Sequence, residues 1–398
     1  MRYIGIDIGK EKHVAAVVGE DGGVLVKATG FTEDLDGYQK LFELIGKAED
    51  TLVVMEATGH YWMNLCGALV GSGFGVAVIN PLRTHRFAEE DLARAKTDAL
   101  DAVSLARFGA QKKPAPTKLP DEATVELREL MLMRDRYVQS VGDLVRQLHR
   151  IVDLGFPEFT RYVKELDSAL ATTLLGRYPT AAHFAKQSPK RIGAMLYDGR
   201  REVGIELATA LVQAAKTSVG RHHGSPFMLE AAHTCEDIAT LRSRIRQLDK
   251  DLGSTIGKHE IGSLLLTIDG IGDTTAARFV AVLGDPAAAF RDAAALASYV
   301  GVVPATNHSG KRRPSRAGIS NIGNADLRAK LWMPVLVAVR RNAWLKRFYD
   351  GLIARGKLPK VALIAAMRKL LSAVYSVAKN RRPFVPLPPA AAGVCAGG

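Results

Sequence analysis

The first 113 residues switch repeatedly between a period of two and a period near 3.6, and this alternation restricts the fold before any single side chain is weighed. Tyr3 to Ile8 and His13 to Val18 read as strands, with a hairpin continuation at Asp21-Gly22-Gly23. Leu35 to Lys47 has helical spacing, since Leu35, Tyr38, Leu41, Phe42 and Ile45 share one face. Thr51 to Ala57 is an apolar, β-branched run of the buried-strand type. Tyr61 to Val70 follows as a helix, Gly75 to Ile79 as a strand and Thr97 to Gly109 as a helix. Strands interleaved with helices predict an α/β domain over 1–113. The Pro/Lys stretch Lys112 to Pro120 then predicts a boundary.

The rest of the chain is predicted to be mainly helical. Val138, Val141, Val145, Leu148 and Val152 fall three and four residues apart, as do Ile238, Leu241, Ile245, Leu248 and Leu252. Two such stripes predict a helical middle domain over 121–260, forming either a hairpin within the chain or a coiled-coil contact in a homo-oligomer. Residues 154–226 are rich in breakers and carry no recognisable chemistry. A helical C-terminal domain is expected over 262–382, including single helices at Ala287 to Val300 and Asn324 to Arg341. The Pro/Ala/Gly-rich end, 383–398, is expected to be a disordered tail.

Charge is concentrated rather than spread. The chain carries a net +13, yet residues 299–382 alone hold 18 Lys/Arg against two acids, a net +16, which leaves −3 for everything else. A block of that density points to a polyanion. The three cysteines, Cys66, Cys235 and Cys395, form no CxxC pair, which argues against structural zinc and fits a reducing compartment. No apolar run approaches the roughly 20 residues a membrane span needs, and the N-terminus is a strand pattern with an early acid, so a soluble, cytoplasmic protein is expected.

Four acids stand out against this background. Asp7 interrupts the apolar strand YIGIDI, and Glu56 ends the apolar run LVVMEATG. A carboxylate at the end of a buried strand is unfavourable unless it is paired, bound to metal or at a cleft. Asp98 and Asp101, three apart in KTDALDA, share a helix face. If the four converge they repel one another, and an all-oxygen set of this kind suits Mg²⁺ or Mn²⁺. Taken singly, Asp98 could merely cap its helix, competing with Thr97, and Asp101 could be a surface residue. In the C-terminal block, Ser309 precedes Gly310 and is followed by Lys311, Arg312, Arg313 and Arg316, with Arg328 further on. Guanidinium groups there would bind phosphates and stabilise phosphoryl charge, whereas the plainer reading of Ser309 is a turn residue. Gly270-Ile271-Gly272 between two helices is similar to a helix–hairpin–helix turn, or is an ordinary helix connection.

The strings GIDIGKEKHVAAV, MEATGHY, VINPLRTHRFA and KTDALDAVSLARF resemble the N-terminal domain of the DEDD transposases of bacterial insertion sequences, relatives of the Piv/MooV DNA invertases. The pattern GVVP, SG, GISNIGN and LR after residue 300 resembles the C-terminal domain of the same family. The resemblance implies a ribonuclease-H-like (RuvC-like) fold for 1–113, with Asp7, Glu56, Asp98 and Asp101 as the metal-binding quartet. It implies that Ser309 is the nucleophile of a covalent serine–DNA intermediate. It further implies DNA element ends and targets as substrates, with a noncoding bridge RNA as guide, and, set beside the family's more compact members, that 154–226 is an insertion. Two rivals are a resolvase-type metal nuclease without a covalent step and an actin/sugar-kinase-like ATPase, to which GIDIG is also similar. The ATPase needs a later glycine-rich adenosine-binding segment after a strand, which the chain lacks.

Overall fold

A computed structural model describes residues 1–90, 97–303 and 323–386. The chain divides into two compact units, Met1–Leu119 and Pro120–Gly398.

The first unit is built on a five-stranded sheet of order β3-β2-β1-β4-β5. Its strands are β1 (Arg2–Asp7), β2 (Lys12–Val18), β3 (Val24–Thr32), β4 (Thr51–Glu56) and β5 (Gly75–Ile79). β1 to β3 form an antiparallel meander, so the hairpin expected after Asp21 extends into a third full strand. β4 and β5 run parallel to β1, which requires crossovers. α1 (Leu35–Ile45) and α2 (Met63–Gly71) supply them, and α4 (Asp98–Lys112) covers the opposite face. Between β5 and α4 lies α3 (Pro81–Glu90), a helix that the pattern of apolar residues does not announce.

The central strand is buried on both faces, and the alternation of its side chains assigns them to two separate cores. Ile4, Ile6 and Ile8 pack with Leu41, Ile45 and Leu65 beneath α1 and α2. Tyr3 belongs to the other core, with Leu105, Ala106 and Phe108 of α4. β4 alternates likewise: Val53 and Met55 face the first core, Leu52 and Val54 the second. Gly5 lets α4 lie directly on β1, because a Cβ there would stand 2.0 Å from the Ala102 carbonyl oxygen. The Pro/Lys stretch is more than a spacer. The Thr117 N–H donates to the Val76 carbonyl and its hydroxyl accepts from the Val78 N–H, so it covers the outer edge of β5.

In the second unit the two apolar stripes meet each other. α5 (Glu122–Gly155) and the helix Ser225–Lys258, each about 51 Å long at 1.5 Å per residue, run antiparallel within one chain. Thr124 pairs with His259, Arg134 with Asp249 and Gln147 with Glu230 along their length. Val141, Leu148 and Val152 are buried, as are Ile238, Ile245, Leu248 and Leu252, while Val138 is exposed. The stripes therefore form a hairpin, and most of their apolar surface is already covered. Residues 156–224 are a lobe of short helices seated on this hairpin around Phe156, Phe159 and Phe184, whose ring centroids lie 5.3–5.9 Å apart.

The C-terminal part is helical. The expected helix Ala287 to Val300 is interrupted, with Asp292 capping a new start for Ala293–Val300. Asn324 to Arg341 likewise divides into Ala325–Lys330 and Trp332–Arg341, since Pro334 has no N–H to continue the ladder from Lys330. The helix Pro359–Asn380 is long and apolar enough by length and composition to cross a membrane, contrary to the expectation that no such run exists. Its Ala366, Met367, Leu370, Leu371 and Val374 are buried in the core of the unit. The tail is held as far as Phe384, whose N–H donates to the Thr267 hydroxyl; 387–398 lie outside the described residues. Gly270 packs its bare Cα on Ala338, where a Cβ would stand 2.6 Å from the Ala338 Cα, so this glycine serves close helix packing.

One buried ionic group ties these helices together. Arg278 makes two hydrogen bonds to Asp135 of α5, at 2.7 and 2.9 Å, and Lys330 adds a third at 2.6 Å. Burial pushes the Asp135 carboxyl up, but the hydrogen bonds and charges of Arg278 and Lys330 outweigh it and hold it below the usual range. A depressed folded value means the stabilisation is complete above the unfolded carboxylate range and fades as pH falls through the folded value. Asp135→Ala leaves Arg278, 8% exposed, without its partner. It should cost about 3 kcal/mol, or roughly 5 °C in Tm for a unit of this size, measurable by thermal unfolding, with a smaller loss when wild type and variant are compared at pH below about 4.

Candidate active site

Alternation along β1 and β4 places Asp7 and Glu56 on the same face of the sheet as Tyr3 and Leu52, toward α4. The parallel register pairs Ile6 with Met55, so the two acids are neighbours at the carboxyl ends of adjacent strands. Both are half-buried. α4 begins at Asp98, and its cap is Thr97, whose hydroxyl accepts from the Leu100 N–H at 3.3 Å. Asp98 therefore does not serve as the cap. Asp98 and Asp101 occupy the first turn, where the helix dipole favours negative charge. Close packing of α4 on Gly5 brings that turn to the strand ends.

All four acids line one cleft of about 590 Å³. α3 forms its far wall with Pro81, Thr84, His85, Phe87 and Glu89. Thr84 is buried, and its hydroxyl donates to Glu56 Oε1 at 2.5 Å. His85 lies 3.5 Å from Glu89, one turn further on. Among the described residues no three Asp, Glu, His or Cys side chains are gathered closely enough to hold a metal ion between them. The four acids stand around the cleft without closing on one common point. The donor chemistry, carboxylate oxygens with a hydroxyl behind one of them, fits a hard divalent cation.

Neither α3 nor Thr84 has a signature in apolar periodicity. Asn80-Pro81 is nonetheless a helix-start signal: the Asn80 side chain accepts from the Leu82 N–H, and Pro81 opens the helix. Ser309, Lys311, Arg312, Arg313 and Arg316 lie outside the described residues. The chain on either side of 304–322 comes together: the Asn324 N–H donates to the Tyr299 carbonyl at 2.7 Å, and Gly323 lies against Gly301. Arg328 is half-buried and donates to the Val300 and Gly301 carbonyls, closing the helix Ala293–Val300.

Comparison with known proteins gives first the class. Residues 4–157 match a DEDD transposase family of IS110 elements, and residues 262–350 match the transposase family IS116/IS110/IS902. Similarity extends over whole chains. The insertion element IS116 44.8 kDa protein of Streptomyces clavuligerus is 26% identical over 402 residues, covering 97% of each chain. The pilin gene-inverting protein of Moraxella bovis is 27% identical over 387 residues, covering 96% of this chain and 97% of its own. The mini-circle putative transposase for IS117 of Streptomyces coelicolor is 28% identical over 336 residues, 78% of each chain. The chain belongs to the IS116/IS110/IS902 family of transposases. Coverage of 97% on both sides leaves no room for 154–226 to be an insertion relative to the S. clavuligerus protein.

Proposed function

We propose that the protein cuts and rejoins DNA at a ribonuclease-H-like acidic centre formed by Asp7, Glu56, Asp98 and Asp101, with Ser309 as the nucleophile. The observation that carries the first half is the single cleft lined by all four acids. The strand order β3-β2-β1-β4-β5, with an antiparallel meander leading into a parallel pair, supports the ribonuclease-H-like assignment. Family membership supports DNA transposition as the activity. The pilin gene-inverting relative supports site-specific exchange as one form of it.

The four carboxylates would hold Mg²⁺ or Mn²⁺. When bound, such an ion stabilises charge on a transferring phosphoryl group. Glu56 is kept in place by Thr84, and α4 presents Asp98 and Asp101 from a first turn capped by Thr97. Ser309 Oγ gives up its proton and attacks a DNA phosphate, an Oγ–P bond forms, the P–O bond to the departing DNA oxygen breaks, and that oxygen takes up one proton, so protons balance. Rejoining reverses these events with a new DNA hydroxyl and restores Ser309. The number of phosphodiester bonds is conserved, so no nucleotide cofactor is needed. Lys311, Arg312, Arg313, Arg316 and Arg328 lie in the basic block that supports nucleic-acid binding, with DNA ends, target DNA and a noncoding guide RNA as partners. Assembly as a homo-oligomer would let one protomer's Ser309 serve a partner's acids.

The test is strand cleavage of element-end DNA with Mg²⁺ and with chelator. Cleavage should require the cation, and cleavage persisting in chelator would contradict the reading. Thr84→Val keeps the side-chain shape but releases Glu56; cleavage should fall about 10–100-fold with Tm nearly unchanged. Neutralising Lys311, Arg312 and Arg313 together should make the log–log salt dependence of DNA binding shallower by about 2–3. An unchanged slope would show these charges to be solvated surface only.

A further inference from the structure

A second groove, in the Pro120–Gly398 unit, has a chemistry that the acidic cleft does not use. The helix Pro359–Asn380 carries Lys369, Ser376 and Lys379 at three- and seven-residue spacings, hence along one side. At Arg381 the backbone enters the left-handed region (φ 50°), and Pro383–Val385 turns back beside the helix. Trp344, from the helix Ala343–Ala354, closes the other wall. The groove encloses about 1040 Å³, at the upper end of the roughly 300–1,000 Å³ typical of ligand pockets. Its aromatic wall is the pair Trp344 and Phe384, with ring centroids 5.3 Å apart at 67°.

The cations here are arranged unusually. The Lys369 ammonium sits 4.5 Å from the Trp344 centroid and 4.3 Å from that of Phe348. Among the described residues no carboxylate pairs with it, and burial lowers its pKa. Lys379 and Arg382 stand exposed at the rim, and no acid lines the groove among the described residues. Cations without local carboxylates favour a bound anion, and the part of the half-buried Trp344/Phe384 pair that lines the groove favours a flat, apolar face. Unpaired nucleotides combine the two, whereas duplex DNA keeps its base faces inside the stack. An acidic peptide matches the charges but offers the Trp344/Phe384 wall no flat face to pack on.

We propose that the Trp344–Lys369–Arg382 groove binds single-stranded nucleic acid, with phosphates at Lys369, Lys379 and Arg382 and a base against the Trp344/Phe384 wall. The proposal rests on the nucleic-acid reading above only for its class of ligand.

The test is fluorescence anisotropy on the full-length protein with labelled ten-residue oligo-dT and oligo-U, a duplex of ordinary sequence, and polyglutamate as competitor. Lys379→Ala with Arg382→Ala removes two exposed side chains and should not disturb folding. It should weaken single-strand binding several-fold at low salt and make its salt slope shallower by about 1.4. Trp344→Leu should weaken it on the order of tenfold with the slope unchanged. Duplex binding should weaken clearly less than single-strand binding. Whichever of oligo-dT and oligo-U binds better identifies the source of the strand. Equal weakening of single strand and duplex, no weakening of either, or displacement by polyglutamate as effective as by oligonucleotide would overturn the proposal. If Trp344→Leu lowers Tm sharply, the Lys379/Arg382 pair still decides. Oligonucleotide binding is read separately from cleavage, so failure here leaves the acidic centre standing. Loss of cleavage in an Asp7 variant with normal single-strand binding leaves the groove standing.

Discussion

Asp7→Asn is expected to abolish strand cleavage while leaving DNA binding within about twofold of wild type. The asparagine keeps the size and planar shape of the aspartate at the end of β1, so the alternation that packs Tyr3 and Ile6 is undisturbed. The variant loses a negative oxygen beside Glu56. A cation held by fewer carboxylates contributes several kcal/mol less to a phosphoryl transition state. At about 1.4 kcal/mol per tenfold, cleavage should fall on the order of a thousandfold or more. Gel-shift titration and single-turnover cleavage on the same DNA separate the two effects. Cleavage within tenfold of wild type would remove Asp7 from the centre.

Ser309→Ala should have an equally large effect of a different kind. It removes the oxygen proposed to carry the DNA end, so the covalent protein–DNA species should disappear entirely, with the thermal transition nearly unchanged because the change deletes one oxygen and adds no volume. Ser309→Cys should keep at most a trace, since sulfur is nucleophilic but longer. Ser315 and Ser320 are the rivals in the same stretch. Peptide mapping of the DNA-linked fragment distinguishes them, and phosphate found on either would transfer the role.

Much of the acidic cleft is legible in the sequence for a simple reason. Carboxylates at the ends of apolar strands are unfavourable unless something uses them, and a period of two fixes their face. Asp7 follows Tyr3 and Gly5 by parity, and Glu56 follows Leu52 and Val54, so both point toward α4. Thr84 is not legible because its role depends on a buried hydroxyl of α3 meeting Glu56 at the end of β4, with α2 and β5 between them in the chain, which no periodicity records. Gly5 is equally silent, since its meaning lies in the closeness of Ala102. The lobe at 156–224 is obscure for another reason. Its helices are short, and its apolar residues, Phe156, Phe159 and Phe184, converge from separate segments rather than repeating along one. The two long stripes announce helices, and helices they are. Periodicity alone cannot say whether they meet within one chain, as Arg134 and Asp249 show they do.

The central claim is that the acidic centre and Ser309 act in one covalent reaction. Its most direct test is a denaturing gel of full-length protein with guide RNA, Mg²⁺ and element-end DNA nicked beside the cut site, so that the cleaved short strand escapes and rejoining is blocked. The account predicts a protein–DNA band that requires Mg²⁺, is lost in Asp7→Asn, and is lost in Ser309→Ala. Cut DNA with free ends and no attached protein in the wild type, unchanged in Ser309→Ala, would contradict it and identify a nuclease that uses water.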